Sequence, residues 1–294
     1  MNENLQNKVK DKMKRLFVLI ISIIIPILAS AQAQIDTKKV KISDFTQKIT
    51  KVVLHGNDFY DAILKEEIAL RWSVSPYEFC TMEEFEVLKN NSQYYFLITT
   101  LGQFKKETAP GIQFLSLVKG GKSKKGVSDM LEVVSLPYAS AEYPSGRELV
   151  LLPALLDIIQ AHTLKSMESD FDGYMGMSRY TKNMQNAQNM KIVFCEDEIN
   201  SEVDSETRNA DGRFIITDED GADKYFMDHT PGTLVSYMVA PTEPMNGSYC
   251  YKLLINAETH ELYFFRRHKI TEKYGVGFLP EDFDYIIKNG EKDK

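Results

Sequence analysis

Two segments about 140 residues apart carry the same order of signals, and that recurrence restricts the possible folds more than any other feature. Lys51-Val-Val-Leu-His-Gly-Asn-Asp58 and Lys191-Ile-Val-Phe-Cys-Glu-Asp-Glu198 each read as a basic residue, a short apolar run and an acidic or amide cluster. That is how a buried strand gives way to a loop or helix. After the first, Tyr60, Leu64 and Ile68, with Phe59 and Ile63 beside them, form one stripe of a helix from Asp58 to Trp72 that Asn57 or Asp58 can cap. The second copy has the shorter, more polar Asn200 to Arg208, whose helix is doubtful.

Each copy then shows a strand followed by Thr and an acid three residues on, Thr81 with Glu84 and Thr217 with Asp220. This spacing predicts a capping box, in which hydroxyl and carboxylate satisfy free backbone N–H groups reciprocally. Short helices follow, with Phe85 and Leu88 inward in one copy and Tyr225 and Phe226 in the other. Three strands come next in each: Tyr94 to Thr100, Ile112 to Val118 and Met130 to Leu136, then Leu234 to Ala240, Ser248 to Asn256 and Leu262 to Lys269. Both copies close on a helix. Ser145-Gly-Arg-Glu148 is another capping box, opening a helix that Pro153 kinks or restarts; Pro280 opens the other, with Phe283, Ile286 and Ile287 apolar and Gly290 at C′.

The expectation is an α+β chain of two similar αβ units, each β-α-β-α-β-β-β-α, with mixed sheets and helices packed against them. The first spans residues 34–167 and the second 191–294, joined by a linker at 168–190. The first two strands of each unit pair in parallel through a helical crossover and the later ones antiparallel.

Residues 1–33 read as a cleavable signal peptide. Lys8, Lys10, Lys12, Lys14 and Arg15 form the positive region, Leu16 to Leu28 the apolar core, and Ala29-Ser-Ala-Gln-Ala33 two overlapping cleavage sites. That apolar run is shorter than the ~20 residues of a spanning helix. Export to the periplasm or beyond is expected, without stable membrane insertion after cleavage. Losing five basic and two acidic residues with the leader takes the formal charge from −7 to −10, which disfavours nucleic acid as a partner. Cys80, Cys195 and Cys250 permit one disulfide at most and read as packed thiols.

No catalytic constellation stands out. Tyr143-Pro-Ser-Gly-Arg147 lacks the nucleophile-elbow spacing and reads as a helix cap, and His260-Glu261 lacks the second histidine of a zinc motif. His260 and His268 read as surface residues of one strand. Asp170-Phe-Asp-Gly173 and Asp218 to Asp223 match a calcium loop only in part, and Glu196, Asp197, Glu198, Glu202, Asp204 and Glu206 read as a solvated face. No metal or cofactor is expected. Lys119, Lys122, Lys124 and Lys125 form a basic hairpin loop and are the one candidate binding surface, for an acidic partner such as an envelope protein.

The leader ending in Ala-Gln-Ala-Gln34, the strings His55-Gly-Asn-Asp-Phe-Tyr60 and Ser75-Pro-Tyr-Glu-Phe79, and the Tyr94-Tyr-Phe-Leu97 strand resemble a group of uncharacterised exported proteins of Bacteroidota-type bacteria. The resemblance covers most of the mature chain and implies an envelope location, no known activity and no functional residue. Two functions are therefore expected: a non-enzymatic binding or assembly module, or alternatively a hydrolase whose carboxylate site assembles only in three dimensions.

Overall fold

The computed structural model describes residues 41–122, 126–169 and 176–290, and in each half the predicted strands join into a five-stranded mixed sheet. In the first unit β1 (Ile49–Val53), β2 (Tyr77–Cys80), β3 (Tyr94–Gly102), β4 (Ile112–Lys119) and β5 (Leu131–Ser140) lie in the order β2-β1-β3-β4-β5. In the second, β6 (Lys191–Cys195), β7 (Phe214–Thr217), β8 (Thr233–Val239), β9 (Tyr249–Asn256) and β10 (Leu262–Lys269) repeat those neighbours in the order β10-β9-β8-β6-β7. β1 is parallel to β2 and β3, as β6 is to β7 and β8, and the remaining pairs are antiparallel. Helical crossovers force the parallel pairs and tight connections the antiparallel ones. The leader, Lys124, Lys125 and Asp170 to Gly173 lie outside the described residues.

The register of the duplication differs from the sequence alignment. Val53 pairs with Cys80 at the end of β1, and Cys195 with Thr217 at the end of β6, so Val53 corresponds to Cys195 rather than to Val193. A slip of two residues keeps every side chain on the same face, which is why the apolar pattern alone does not expose it.

Helix starts follow local chemistry. Asn57 caps α1 (Asp58–Arg71) by accepting from the Phe59 and Tyr60 amides, and Leu64 and Ile68 face inward. Phe59, expected in that stripe, is 65% exposed; Asp61 turns inward instead and accepts from the His55 and Gly56 amides at 2.8 and 3.0 Å. Thr81 and Glu84 close the expected capping box on α2 (Met82–Leu88). In the second unit the cap moves one residue: Thr217 ends β7, and Asp218 accepts from the Gly221 amide at 2.9 Å to start α6 (Glu219–Met227). The doubtful second-copy helix is a single turn, α5 (Ser205–Arg208).

The closing helices also deviate from expectation. Gly146, with φ +102°, is the N-cap of the short α3 (Arg147–Val150), where Ser145 Oγ accepts from the Arg147 amide and Glu148 Oε2 from the Gly146 amide. The bonds of a box are present but displaced. Pro153 restarts the helix as α4 (Leu152–Glu168). In α7 (Pro280–Gly290), Gly290 is not a left-handed C′ residue but a buried helical one: an added Cβ would stand 2.0 Å from the Arg213 guanidinium.

The units pack through non-equivalent faces. The shared core joins Val52, Leu97 and Leu117, beneath Leu64 of α1 and Leu155 and Ile159 of α4, to Val193, Val235 and Leu253, beneath Phe226 of α6. Since α6 corresponds to α2, the first unit buries its α1/α4 face against the second unit's α2-like face. The other faces carry their own cores, Val53, Phe96 and Ile98 under Phe85, and Phe194, Leu254 and Phe264 under Phe283 and Ile286. Where the helices leave off, the sheets touch directly: Phe114 meets Tyr251 with ring centroids 5.5 Å apart, and the Tyr237 hydroxyl donates to the Tyr138 carbonyl.

Part of the predicted linker is a 3-10 segment, Met177–Asn186, laid along β10. Thr181 Oγ1 donates to the Phe265 carbonyl and accepts from the Phe265 amide, so the segment covers an otherwise open sheet edge.

Candidate ligand-binding cleft

The carboxyl ends of β5, β6 and β8, with Gly275 and Val276 from the connection after β10, converge on one cleft between the units, with a cavity volume of about 560 Å³. The topology explains its place. From β6 the chain leaves toward β7 on one side, while β8 continues toward β9 on the other, so the two loops part and leave a crevice at the strands' carboxyl ends. The first unit roofs it with the connection from Ser140 to Glu148. The volume suits a small ligand.

Carboxylates dominate the wall: Glu148 from the first unit, and Asp197, Glu198 and Glu219 from the second, against the single cation Arg147. Arg147 is 3% exposed and fully engaged. Its Nε donates to Asp223 at 2.7 Å, Nη1 to Glu198 and Nη2 to the Ser236 carbonyl at 3.2 Å. Glu198 also accepts from the Ser236 hydroxyl and the Met238 amide, so its charge is internally satisfied. Glu148, 1% exposed, accepts from the Gly146 amide through Oε2, while its buried Oε1 closes no hydrogen bond of good geometry. Tyr60 reaches toward this carboxylate as a donor; burial, and after it the Glu148 charge, pushes up the hydroxyls of Tyr60, Tyr138 and Tyr237. Burial also raises Glu219, opposed by Arg147 and reinforced by Asp223, Glu198 and Asp197.

A second groove of about 360 Å³ neighbours the cleft and shares Ser140, Pro241, Thr242 and Pro244 with its wall. Its charged lining is Glu107, Glu142 and Glu243. Ser140 and Thr242 hydroxyls meet at 2.6 Å across the units at the junction. A cavity of about 660 Å³ lies elsewhere, lined by Phe114 of β4, Glu132 to Ser135 of β5, Phe265 to Arg267 of β10 and Gly176 to Ser178 among others.

The residues singled out from sequence fall elsewhere or in other roles. Lys119 is not a free docking cation: its ammonium binds both Asp44 oxygens at 2.7 and 2.9 Å and lies 5.3 Å from the Tyr95 ring centre, fastening the segment that carries the buried Phe45. Lys122 is exposed. Glu198 is buried rather than part of a solvated face, and the Tyr143 to Arg147 string, read only as a helix cap, also lines the cleft. His260 is not a surface residue either. It precedes β10 with φ +57°, is 5% exposed, and holds Asp157 of the first unit at 2.7 Å while stacking on Phe226. His268 is half-buried, with Nε2 against the Gly275 carbonyl. Asp218 caps α6 and Asp223 pairs with Arg147. Among the described residues, no group of three or more His, Cys, Asp or Glu side chains is placed to hold a metal.

Cys80, Cys195 and Cys250 are buried free thiols, pushed by burial up to about 11, 11 and 12. A thiolate is the reactive form. At pH 8 the native protein is expected to leave Ellman's reagent untouched, with three thiols titrating after unfolding; a fast native equivalent would contradict this burial. No protein-family model, curated protein or solved structure matches this chain.

Proposed function

We propose that this is an exported binding module that seats its ligand in the cleft between its two units. The leader at residues 1–33 supports export. The observation that carries the binding reading is the placement of the cleft at the divergence of β6 and β8, roofed by the other unit, so that a ligand there touches both halves of the duplication. The basic loop remains an accessory surface through Lys122, Lys124 and Lys125.

The test is a thermal-shift panel on the mature chain, with linear amines, basic peptides, amino acids and oligosaccharides as probes. Ala240 lines the cleft and is part-exposed, so Ala240→Trp fills it without replacing a core residue. At least one probe is expected to raise the melting temperature of the wild type and not of Ala240→Trp; equal shifts in both overturn the cleft as the seat.

One observation favours a hydrolytic alternative: Glu219 is held toward its protonated form in a cleft that also contains Asp197, an arrangement suited to an acid and base pair. Turnover of chromogenic glycosides that is lost in Glu219→Gln would replace the binding reading with this one.

A further inference from the structure

We propose that Thr99, His55 and Asp61 form a nucleophile, base and carboxylate relay that hydrolyses small carboxylic esters at the surface of the first unit. This activity is separate from the cleft and stands or falls without it.

Topology brings the three residues together. From β1 the chain leaves through α1 toward β2 on one side, while β3, the parallel neighbour on the other, continues toward β4, so these carboxyl ends also part. His55 follows β1, Asp61 sits in the first turn of α1, and Thr99 lies near the end of β3. With Val53 equivalent to Cys195, His55 stands where the second unit has Asp197 of its cleft.

Their geometry is that of a proton relay. The Thr99 hydroxyl meets His55 Nε2 at 2.6 Å, and His55 Nδ1 faces Asp61 Oδ1 at 3.5 Å. Asp61, 6% exposed, is fixed by the His55 and Gly56 amides, one on each oxygen. A carboxylate held on that side favours the proton on Nδ1, which leaves Nε2 to accept from the hydroxyl. The Thr99 residue is part-buried and the His55 side chain 29% exposed, so an ester reaches the pair from solvent. Exposed apolar side chains lie beside it. Leu101 is on Thr99's side of β3, and Phe59 packs edge-on to Tyr60, whose ring is 6.5 Å from the imidazole. They offer contact to a short acyl chain.

Thr99 Oγ1 attacks the acyl carbon as its proton passes to His55 Nε2. The bond from that carbon to the alcohol oxygen then breaks, and the alcohol leaves with the proton. Water next gives a proton to the same nitrogen and attacks the acyl-threonine; the acyl bond to Oγ1 breaks and Oγ1 takes the proton back. The products are a carboxylic acid and an alcohol, with water as the co-reactant. Thr99 and His55 are the catalytic residues, and Asp61 is a positioning residue that acts through the imidazole.

The test is hydrolysis of p-nitrophenyl butyrate by the mature chain at pH 8, followed by peptide mapping of acid-quenched protein. Saturable turnover and a butyryl group on Thr99 are expected. Thr99→Val and His55→Gln should each slow turnover at least tenfold, while Thr99→Ser, which keeps a hydroxyl, restores it. His229→Asn, at another exposed histidine, should leave it unchanged. Asp61→Asn should lower kcat at least tenfold with KM within twofold, a split that a loosened fold does not produce. Near-ultraviolet circular dichroism checks folding, and if Asp61→Asn fails to fold, the three Thr99 and His55 variants decide. Absence of turnover above buffer overturns the proposal. So does turnover lost in His55→Gln but kept in Thr99→Val, which is catalysis by a bare imidazole. Turnover unchanged in both variants but lost in Glu219→Gln moves the chemistry to the cleft and overturns it too.

Discussion

Replacing Arg147 with methionine is expected to lower the unfolding free energy by about 3–5 kcal/mol, the cost of leaving buried charges uncompensated. Arg147 crosses from the first unit into the second and neutralises both Glu198, 5% exposed, and Asp223, 8% exposed. Methionine fills similar volume but leaves two carboxylates facing each other out of water. Arg147→Lys should recover little, because one ammonium cannot reproduce the forked contacts to Asp223, Glu198 and the Ser236 carbonyl. Urea unfolding measures this: the midpoint should fall with an unchanged slope. A loss under about 1 kcal/mol would place the triad in solvent instead, where ion pairs contribute little.

Lys252→Met should cost about 3 kcal/mol by the same physics on the opposite face of the second sheet. Lys252, 1% exposed on β9, pairs with Asp282, 3% exposed in the first turn of α7. The loss sits at the low end of the range because Asp282 retains the Leu279 amide at 2.9 Å and Arg266 at 3.4 Å. Removing both charges, in Lys252→Met with Asp282→Leu, is expected to recover most of the loss, short of the roughly 1 kcal/mol of the lost helix-start bond. A double variant less stable than the single would contradict this picture of a buried pair whose charges depend on each other.

The fold was legible where one residue type carries one physical instruction. Pro153 and Pro280 marked helix starts, Thr81 with Glu84 a capping box, and Leu262 to Lys269 a strand whose bounds match the structure. Legibility failed where two patterns are equivalent in sequence. The duplication register slipped by two because strand faces repeat with that period, and the second cap moved from Thr217 to Asp218 because both side chains can accept from a helix amide.

The cleft was harder to see for a different reason. Nothing in Glu196-Asp-Glu198 distinguishes an acidic surface from a buried anchor, since Glu198 is buried only because Arg147, some fifty residues earlier, reaches it. Likewise Glu148 was visible as a helix-start residue, yet its place on the wall of a cleft between the units is set by tertiary packing. The usable signal was topological: carboxylates directly after β6, at the point where successive strands diverge.

Hydrogen exchange on the mature chain, with and without the panel compound that most raises its melting temperature, tests the inter-unit seat most directly. Protection concentrated in 139–148, 195–201, 237–244 and 275–276, drawn from both units, is the predicted result. Protection confined to 119–129 or to the sheet edges, with those four segments unchanged, would contradict it.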